Sequence, residues 1–400
     1  MTKRRSYGDG GIDARGENSF RLRYRIGKQR YSVTFQGNLK EAKAKLRELL
    51  KSGDDGKHVE PSRMTVGEWA EHWLSIGAPG RSKKRVGRRS LERYEQLMRG
   101  HVIPELGEKR LQQLHATEID RLYEGLESKL APRTQNQVHI VFAACLKAAV
   151  RKGLLSSNPI DRAERIPSPG ESDHGQVLDA EQITALVQCF KGSAIHPIVA
   201  VAAFTGARRN EILGLQWSDL DPVAKTLRIE RALEETKGKP GEGPVRRLKE
   251  PKRAAHKRTI QIDDALIALL LSEREKHLRL VAGIPDGAAV DLSLIKLPEG
   301  ALMFPTFHGR DGDFTKLRDA KAVSKHFEKW SRKTFPGLCF HDLRGSHETA
   351  LLDAGVPVHV VAARCGHDPA TLLRSYAKRT RKADTSAANV IGAMSAAALE

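Results

Sequence analysis

The chain has 400 residues, a formal net charge of +19 and 40% hydrophobic residues. That length is enough for roughly two or three domains with buried cores, and the composition excludes a disordered chain. No apolar run is long enough to cross a bilayer, and the N-terminus lacks the apolar core of a signal peptide. We therefore expect a cytoplasmic protein without membrane contact.

The positive charge is concentrated in three stretches of the chain. Residues 1–60 hold fifteen Lys and Arg against eight Asp and Glu, and residues 81–110 and 231–260 each hold ten against four. Separate basic patches favour a clamp around an extended polyanion such as nucleic acid. A basic surface that is merely well solvated is the alternative interpretation.

The first predicted domain, residues 1–58, combines a β-hairpin with a helix. Alternating apolar and polar residues predict strands over Phe20–Ile26 and Tyr31–Phe35, and helical periodicity follows over residues 39–51. Three arginines share one face of the first strand, namely Arg21, Arg23 and Arg25. We interpret this face as a DNA-groove surface, with an ordinary solvated edge hairpin as the alternative.

The second predicted domain, residues 63–166, is entirely α-helical. Its apolar periodicity predicts four helices: Val66–Ile76, Ser90–His101, Ala116–Lys129 and Thr134–Lys152. Five basic residues near the second helix are candidate DNA contacts: Lys83, Lys84, Arg85, Arg88 and Arg89. Polar, turn-rich linkers are expected on both sides, at residues 52–62 and 166–175.

The third predicted domain, residues 176–385, mixes helices with short strands. Helices are predicted at Ala180–Phe190, Ala194–Phe204, Asn210–Gln216, Asp264–Leu280, Ala320–Thr334 and His341–Ala354. Strands are predicted at Thr226–Ile229, Arg258–Ile262 and near Leu302–Phe304. Residues 234–247 and 283–298 are predicted as loops, and Ala387–Leu399, within the tail 386–400, as an apolar helix.

Two short segments of the third domain can bind an anion. In the first, Gly206 allows a sharp turn into a helix whose first turn carries Arg208, and Glu211 lies on the same face three residues later. In the second, His341 and Arg344 share one helix face and can meet one phosphate. Each has a structural alternative: an ion pair in the first, and a capping Asp342 with surface neighbours in the second.

Two further candidates are individually weak. Tyr376 follows His367 by nine residues, and a tyrosine among helical residues commonly belongs to a core or an interface. Lys252 precedes a predicted strand in a basic turn, which can equally be a solvated turn. The four cysteines lack the paired spacing of a zinc site, so no metal is expected.

Four segments in order resemble the tyrosine recombinase family, specifically its phage-type integrases: TGARRNEI, EPKRAAHKRTI, HDLR, and CGH with a tyrosine nine residues later. The likeness extends over roughly the whole chain. The segment MTVGEWAEHWL resembles the core-binding domain of that family, and the N-terminal hairpin with its helix is similar to an arm-site-binding domain. The chain departs from the family pattern at Cys365, at Asn210 and over Gly345–His347, without replacing a chemical group.

The resemblance implies a fold, a reaction and residue roles. The fold is mixed and mainly α, with a small β-hairpin/helix domain, an all-α domain and an α+β catalytic domain. The enzyme cuts and rejoins duplex DNA through a 3′-phosphotyrosine bond, without ATP, metal or another cofactor. Roles are implied as follows: Tyr376 as nucleophile, Arg208 and Arg344 as phosphate ligands, His341 as base, His367 as hydrogen-bond donor, Lys252 as general acid, and Glu211 as support for Arg208.

The same resemblance implies partners and rivals. Recombination cuts four strands in pairs, which implies a homotetramer on two DNA duplexes, with excisionase and DNA-bending proteins as candidate accessory partners. A type IB topoisomerase with similar residues and a DNA-binding regulator with an inactive site are the alternatives. A metal nuclease is disfavoured because no carboxylate cluster lies near these motifs in the sequence.

Overall fold

A computed structural model describes residues 10–54, 59–80, 85–168, 175–239, 241–251, 256–285, 287–307 and 312–376, with only the backbone described at 52–54 and 374–376. Lys83, Lys84, Lys252 and the predicted tail helix lie outside the described residues. The chain forms two compact units, Met1–Ser172 and Asp173–Glu400. The division into three domains stays a prediction.

The first unit begins with a three-stranded antiparallel sheet braced by a helix. Its elements are β1 (Gly11–Gly16), β2 (Ser19–Ile26), β3 (Gln29–Gln36) and α1 (Leu39–Asp54). Phe20, Leu22 and Tyr24 alternate along β2 and are buried with Ala42 and Leu46 of α1. The predicted hairpin and helix are confirmed. The edge strand β1 was not predicted, because its sequence GIDARG has little apolar alternation.

The rest of the first unit is helical, as predicted. Its helices are α2 (Val66–Ser75), α3 (Arg88–Leu97), α4 (Ile103–Leu106), α5 (Ala116–Glu127) and α6 (Pro132–Arg151). The side chain of Thr65 accepts a hydrogen bond from the Glu68 amide, and Glu68 accepts one from the Thr65 amide, so a capping box starts α2. Trp69 Nε1 donates to the Cys145 carbonyl at 3.0 Å, which ties α2 to α6. A π-helical turn, Met98–Val102, follows α3.

The second unit surrounds one buried helix. Its helices are α7 (Ala180–Cys189), α8 (His196–Thr205), α9 (Arg209–Ile212), α10 (Asp264–Ala282), α11 (Ala320–Ser331), α12 (Asp342–Asp353), α13 (Val358–Cys365) and α14 (Pro369–Tyr376). Eight of the ten residues of α8 are buried, and the helix packs against α7, α10 and α12. Five of the six helices predicted in this domain are confirmed.

The strands of the second unit form a small sheet and a separate hairpin. They are β4 (Leu220–Asp221), β5 (Thr226–Ile229), β6 (Ala232–Thr236), β7 (Val245–Lys249) and β8 (Arg258–Gln261). The sheet has the order β4-β5-β8 and is antiparallel, and β6 pairs with β7. The strands predicted at β5 and β8 are confirmed.

Three sequence predictions for this unit are wrong in detail, and two of its helices were missed. Residues 234–247 were predicted as a loop, but their ends form β6 and β7, because oppositely charged side chains pair across the strands: Glu234 with Arg247 and Glu235 with Arg246. The helix predicted at residues 210–216 is the single turn α9. Leu302 forms only an isolated bridge with Gln216. Helices α13 and α14 were not predicted.

The fold class is as predicted: mixed and mainly α, with a small β-sheet/helix part, an all-α part and an α+β part that carries the chemical motifs. In the part of the chain that the structure describes, no helix has the length and apolar character needed to span a membrane.

Candidate active site

The first arginine of the site is placed by the end of one helix and the start of the next. Gly206 ends α8 with φ +63°, and a Cβ there would lie 2.7 Å from the His347 ring. The chain then turns directly into α9, with Arg208 as its N-cap. The Arg208 side chain remains one-third exposed, so its guanidinium can reach a ligand from solvent.

The second arginine lies deeper. Arg344 belongs to the first turn of α12 and is only 3% exposed. Its Nη1 donates to the Gly206 carbonyl and its Nη2 to the Cys365 carbonyl, both at 2.6 Å. Each Nη carries a second hydrogen, so two N–H donors of the guanidinium group do not bind these carbonyls.

Carbonyl oxygens at two sharp turns connect the arginines to the end of α13 and the end of α8. Arg208 Nη2 donates to the carbonyl of Gly366 at 3.1 Å, while Arg344 donates to the carbonyl of Gly206. Gly366 has φ +65°, and a Cβ there would lie 3.0 Å from Arg258. The turn after α8 and the turn after α13 therefore lock the two guanidinium groups into one cluster.

A buried carboxylate supports Arg208, as predicted from its spacing. Glu211 Oε1 accepts from Arg208 Nη1 at 2.8 Å, and Glu211 Oε2 accepts from Arg258 Nη2 at 2.8 Å. Burial opposes the charge of Glu211, but the hydrogen bond and charge of Arg258, followed by Arg208, outweigh it and hold its pKa at about 2. Glu211 is therefore ionised throughout the physiological range.

His341 stands at the N-cap of α12 beside a cleft of about 420 Å³ that Arg208 also lines. Partial burial of the imidazole and then the positive charge of Arg344 lower the pKa of His341 below its ordinary value of 6.5. The ring is therefore mostly neutral near neutral pH and able to accept a proton.

His367 comes into direct contact with Arg344. It lies in the turn after α13, and its Nε2 is 3.1 Å from Arg344 Nε and 2.8 Å from Glu348 Oε1. Glu348 follows Arg344 by one helical turn in α12 and is also buried. The structure thus brings together Arg208, Arg344, His367 and Glu211, with His341 at the neighbouring cleft.

The remaining two sequence candidates are described only in part. Tyr376 is the last residue of α14, which packs against α13 through the buried side chain of Leu372. This packing anchors the helix of Tyr376 next to the turn that carries His367, but the Tyr376 side chain lies outside the described residues. Lys252 also lies outside them.

The candidate DNA contacts of the first unit occupy exposed or partly exposed positions. Arg21, Arg23 and Arg25 lie on the face of β2 opposite its buried side chains, and Arg23 bonds Asp13 at 2.8 Å. Arg85, Arg88 and Arg89 are exposed at and just before the start of α3.

Two residues of the site were missed by the sequence predictions. Arg258 begins β8, and Glu348 lies four residues after Arg344 in α12. The i, i+4 spacing of Glu348 was the available signal, because it places the carboxylate on the arginine's own helix face. No local sequence pattern could have predicted that Arg258 belongs to the site, because its partner Glu211 lies 47 residues earlier in the chain.

Comparisons with known proteins identify the family of the chain. The profile of the phage integrase family matches residues 176–382. An integrase from Streptomyces ambofaciens is 26% identical over 407 residues, covering 95% of this chain and 95% of that protein. A tyrosine recombinase XerC-like protein from Caldanaerobacter subterraneus subsp. tengcongensis is 27% identical and covers 82% of each chain.

Two solved structures are similar in fold. The Tn1549 transposon integrase in complex with a circular intermediate DNA has a TM-score of 0.62 at 17% identity, covering 82% of this chain and 99% of that one. A lambda integrase dimer bound to a COC′ core site has a TM-score of 0.55 at 14% identity, covering 92% and 95%. At such low identity these two likenesses show the fold alone.

Proposed function

Since this chain belongs to the phage integrase family and is a tyrosine site-specific recombinase, we propose that it integrates or excises a mobile element through a 3′-phosphotyrosine intermediate on Tyr376. The observation that carries this proposal is the cluster of Arg208, Arg344 and His367. Three donor side chains fixed by helix-terminal turns form a binding site for one phosphate.

In this proposal the two arginines neutralise the phosphate. A phosphodiester repels nucleophiles by its own negative charge, and that charge grows on the non-bridging oxygens in the transition state. Two N–H groups of Arg344 are not used in its hydrogen bonds to backbone carbonyls, and they donate to those oxygens. The partly exposed Arg208 donates to them as well. Because both guanidinium groups are held before DNA binds, little reorganisation is needed during the reaction.

Tyr376 attacks the phosphorus. The phenol of a free tyrosine is protonated at neutral pH, so Tyr376 needs a base to accept its proton, and the mostly neutral His341 serves as that base. The new bond joins the Tyr376 oxygen to phosphorus, and the bond from phosphorus to the 5′ oxygen breaks.

Lys252 protonates the leaving 5′ oxygen, which departs as a hydroxyl, and His367 donates a hydrogen bond to the phosphate. Because the phosphotyrosine keeps the energy of the broken bond, a 5′-hydroxyl of another strand can reverse the step. The scheme needs no ATP, metal or other cofactor.

Covalent trapping on a nicked DNA site tests the proposal. The nick lets the short 5′-hydroxyl fragment diffuse away, so the parent protein should accumulate a protein–DNA adduct that resists denaturation. Tyr376→Phe should bind the same DNA and give no adduct. No adduct with the parent would favour a regulator with an inactive site, and relaxation of supercoiled DNA without site preference would favour a type IB topoisomerase.

We assign DNA contacts of the first unit to two surfaces. The arginine face of β2 (Arg21, Arg23 and Arg25) contacts an arm site, and the basic start of α3 with Lys83, Lys84 and Arg85 contacts the core site. Changing the three β2 arginines to Gln should weaken arm-site binding and reduce its salt dependence by up to about three charges, without changing core-site binding. Equal losses at both sites would contradict this assignment.

Recombination of two duplexes requires the enzyme to act as a homotetramer with a four-way junction intermediate. A lambda integrase tetramer has been solved on a Holliday junction, with a TM-score of 0.53 at 14% identity. We propose the same assembly here, with residues 386–400 contacting a neighbouring subunit and with excisionase and DNA-bending proteins as accessory partners in the cytoplasm. Deleting 386–400 should weaken synaptic complexes while single-site binding persists; normal synapsis would refute the tail contact.

A further inference from the structure

The mechanism above gives no role to Arg258, although its guanidinium is buried beside the phosphate site. The side chain is 6% exposed and makes four hydrogen bonds. Its acceptors are the carboxylate of Glu211, the carbonyl of Arg364 and the carbonyl of His256. They belong to three separate segments of the chain, and each segment carries or supports a side chain of the proposed reaction.

The first acceptor is the carboxylate that supports Arg208. Arg258 Nη2 donates to Glu211 Oε2 at 2.8 Å and Nη1 donates to Glu211 Oε1 at 3.3 Å, so the contact is bidentate. The same oxygens accept from Arg208: Oε1 from its Nη1 at 2.8 Å, and Oε2 from its backbone amide at 2.9 Å. Because Arg258 fixes the plane of the carboxylate, it also fixes the oxygen that holds the Arg208 guanidinium.

The second acceptor lies at the end of α13. The last four carbonyls of a helix have no partner within the helix, and Arg258 Nε donates to one of them, the carbonyl of Arg364, at 2.7 Å. Gly366 and His367 follow in the turn, and the carbonyl of Gly366 accepts from Arg208. Arg258 therefore also anchors the backbone from which His367 projects.

The third acceptor belongs to the segment between β7 and β8, which contains Lys252. Arg258 begins β8, and its Nη1 donates back to the carbonyl of His256 at 3.2 Å. Lys257 Nζ also lies 2.9 Å from Glu250 Oε2, near the start of the segment. Lys252 itself lies outside the described residues, but the described residues on both sides of it are held by these contacts.

We propose that Arg258 is a positioning residue of the recombinase: it holds Arg208 through Glu211, and it holds the Lys252 segment through the carbonyl of His256. Its guanidinium is buried and uses four of its five N–H groups on these acceptors, so it acts through them and not by contact with the phosphate. Its kinetic consequence rests on the proposed function, whereas its effect on the geometry of these segments does not.

The kinetic test measures the single-turnover rate constant for adduct formation on the nicked site at saturating DNA. Arg258→Met removes the charge and all four donors, and should lower this rate constant by about 10- to 100-fold while changing the DNA affinity by less than about threefold. Arg258→Lys keeps the charge but not the planar fork, and should recover part of the rate. Arg274→Met, which removes an exposed arginine of α10, should behave as the parent.

The rate constant separates positioning from loss of folding. A variant that is only less stable contains fewer folded molecules, so it forms less adduct in total, but its folded molecules react at the parent rate. If Arg258→Met lowers the yield of adduct and leaves the rate constant within about twofold of the parent, the proposal is overturned.

Two further measurements test the two routes separately. If Arg258 acts through Glu211, then Arg258→Met should cost less in a Glu211→Gln background than in the parent, and equal costs would rule out this route. If it acts through the Lys252 segment, sulfur at the leaving 5′ oxygen should restore part of the rate, because this leaving group needs no general acid. An equal defect on both substrates would rule out the second route.

Hydrogen exchange measured by mass spectrometry is independent of activity. The amide of Arg208 donates to Glu211, and the amides of Gly366 and His367 donate to carbonyls near the end of α13. In Arg258→Met, peptides that contain these amides should exchange at least about threefold faster than in the parent, while peptides of α6 stay unchanged. Unchanged exchange in all peptides refutes the inference even if the protein forms adducts. Faster exchange in Arg258→Met, with no adduct from the parent, would leave the inference standing and refute only the proposed function.

Discussion

Replacing Glu211 with Gln leaves two cations without their carboxylate. Arg258 is the more sensitive of them, because its side chain is only 6% exposed and its Nη2 lies 2.8 Å from Glu211 Oε2. The substitution keeps the shape of the side chain but removes its charge. It also places an amide nitrogen where one guanidinium now finds an oxygen.

The size of the effect follows from the pKa of Glu211. A lowering from 4.5 to about 2 corresponds to about 3 kcal/mol of folding free energy at neutral pH. The pKa of Glu211 is lower in the folded state than in the unfolded state. This stabilisation is therefore fully present at pH values above the unfolded-state pKa, and it is lost as the pH falls through the folded-state pKa. The variant should therefore be about 3 kcal/mol less stable near pH 7, and the difference should shrink by about half near pH 3.5.

Urea denaturation of the parent and Glu211→Gln across this pH range measures the difference. Near pH 7 the midpoint of thermal unfolding should fall by about 6–12 °C for a unit of this size. Glu328→Gln, an exposed carboxyl on α11, should change stability by less than about 0.5 kcal/mol. A loss below about 1 kcal/mol for Glu211→Gln, or a loss that does not change with pH, would refute the reasoning.

Three further outcomes are expected. The Lys252→Ala variant should form adducts slowly on ordinary DNA. It should react near the parent rate when sulfur replaces the leaving 5′ oxygen, because a thiolate leaves without being protonated. If the sulfur substitution does not restore the rate, Lys252 is not the general acid. Gly206→Ala should cost at least about 2 kcal/mol in urea denaturation, because its Cβ meets the His347 ring, whereas Gly283→Ala, at a similar positive φ with open space, should cost about 1 kcal/mol. As the pH is lowered, the rate of adduct formation should stay constant past pH 6.5 and decrease only as the pH falls through the lowered pKa of His341. A decrease with its midpoint at pH 6.5 or above would contradict His341 as the base.

Local patterns in the sequence were sufficient for most of the elements. The apolar residues of a strand or helix show which of its faces is buried, and they recur at a fixed spacing within a short stretch of sequence. This spacing was sufficient to predict β2, β3, α2, α5, α6 and α10. The hairpin of β6 and β7 escaped prediction because its strands are stabilised by cross-strand ion pairs, which leave no apolar alternation.

The chemistry was predicted from motif order, but the arrangement of the site was not. Arg208 and Glu211 are three residues apart, so helix geometry alone predicted their ion pair, and the structure has it. The bonds from Arg344 to Gly206 and from Arg208 to Gly366 span 138 and 158 residues, respectively. Local sequence periodicity cannot predict contacts between residues that are this far apart in the chain.

The sequence by itself determined which side chains are available: two arginines and a histidine at helix ends, a tyrosine, and the segments that carry them. The tertiary structure decided that the turns after α8 and α13 meet, so that their carbonyls hold the arginines and buried Glu211 and Glu348 hold the cations. The physical reason is that a buried charge is stable only beside its partner. That partner is supplied by the packing of distant helices, which local sequence does not encode.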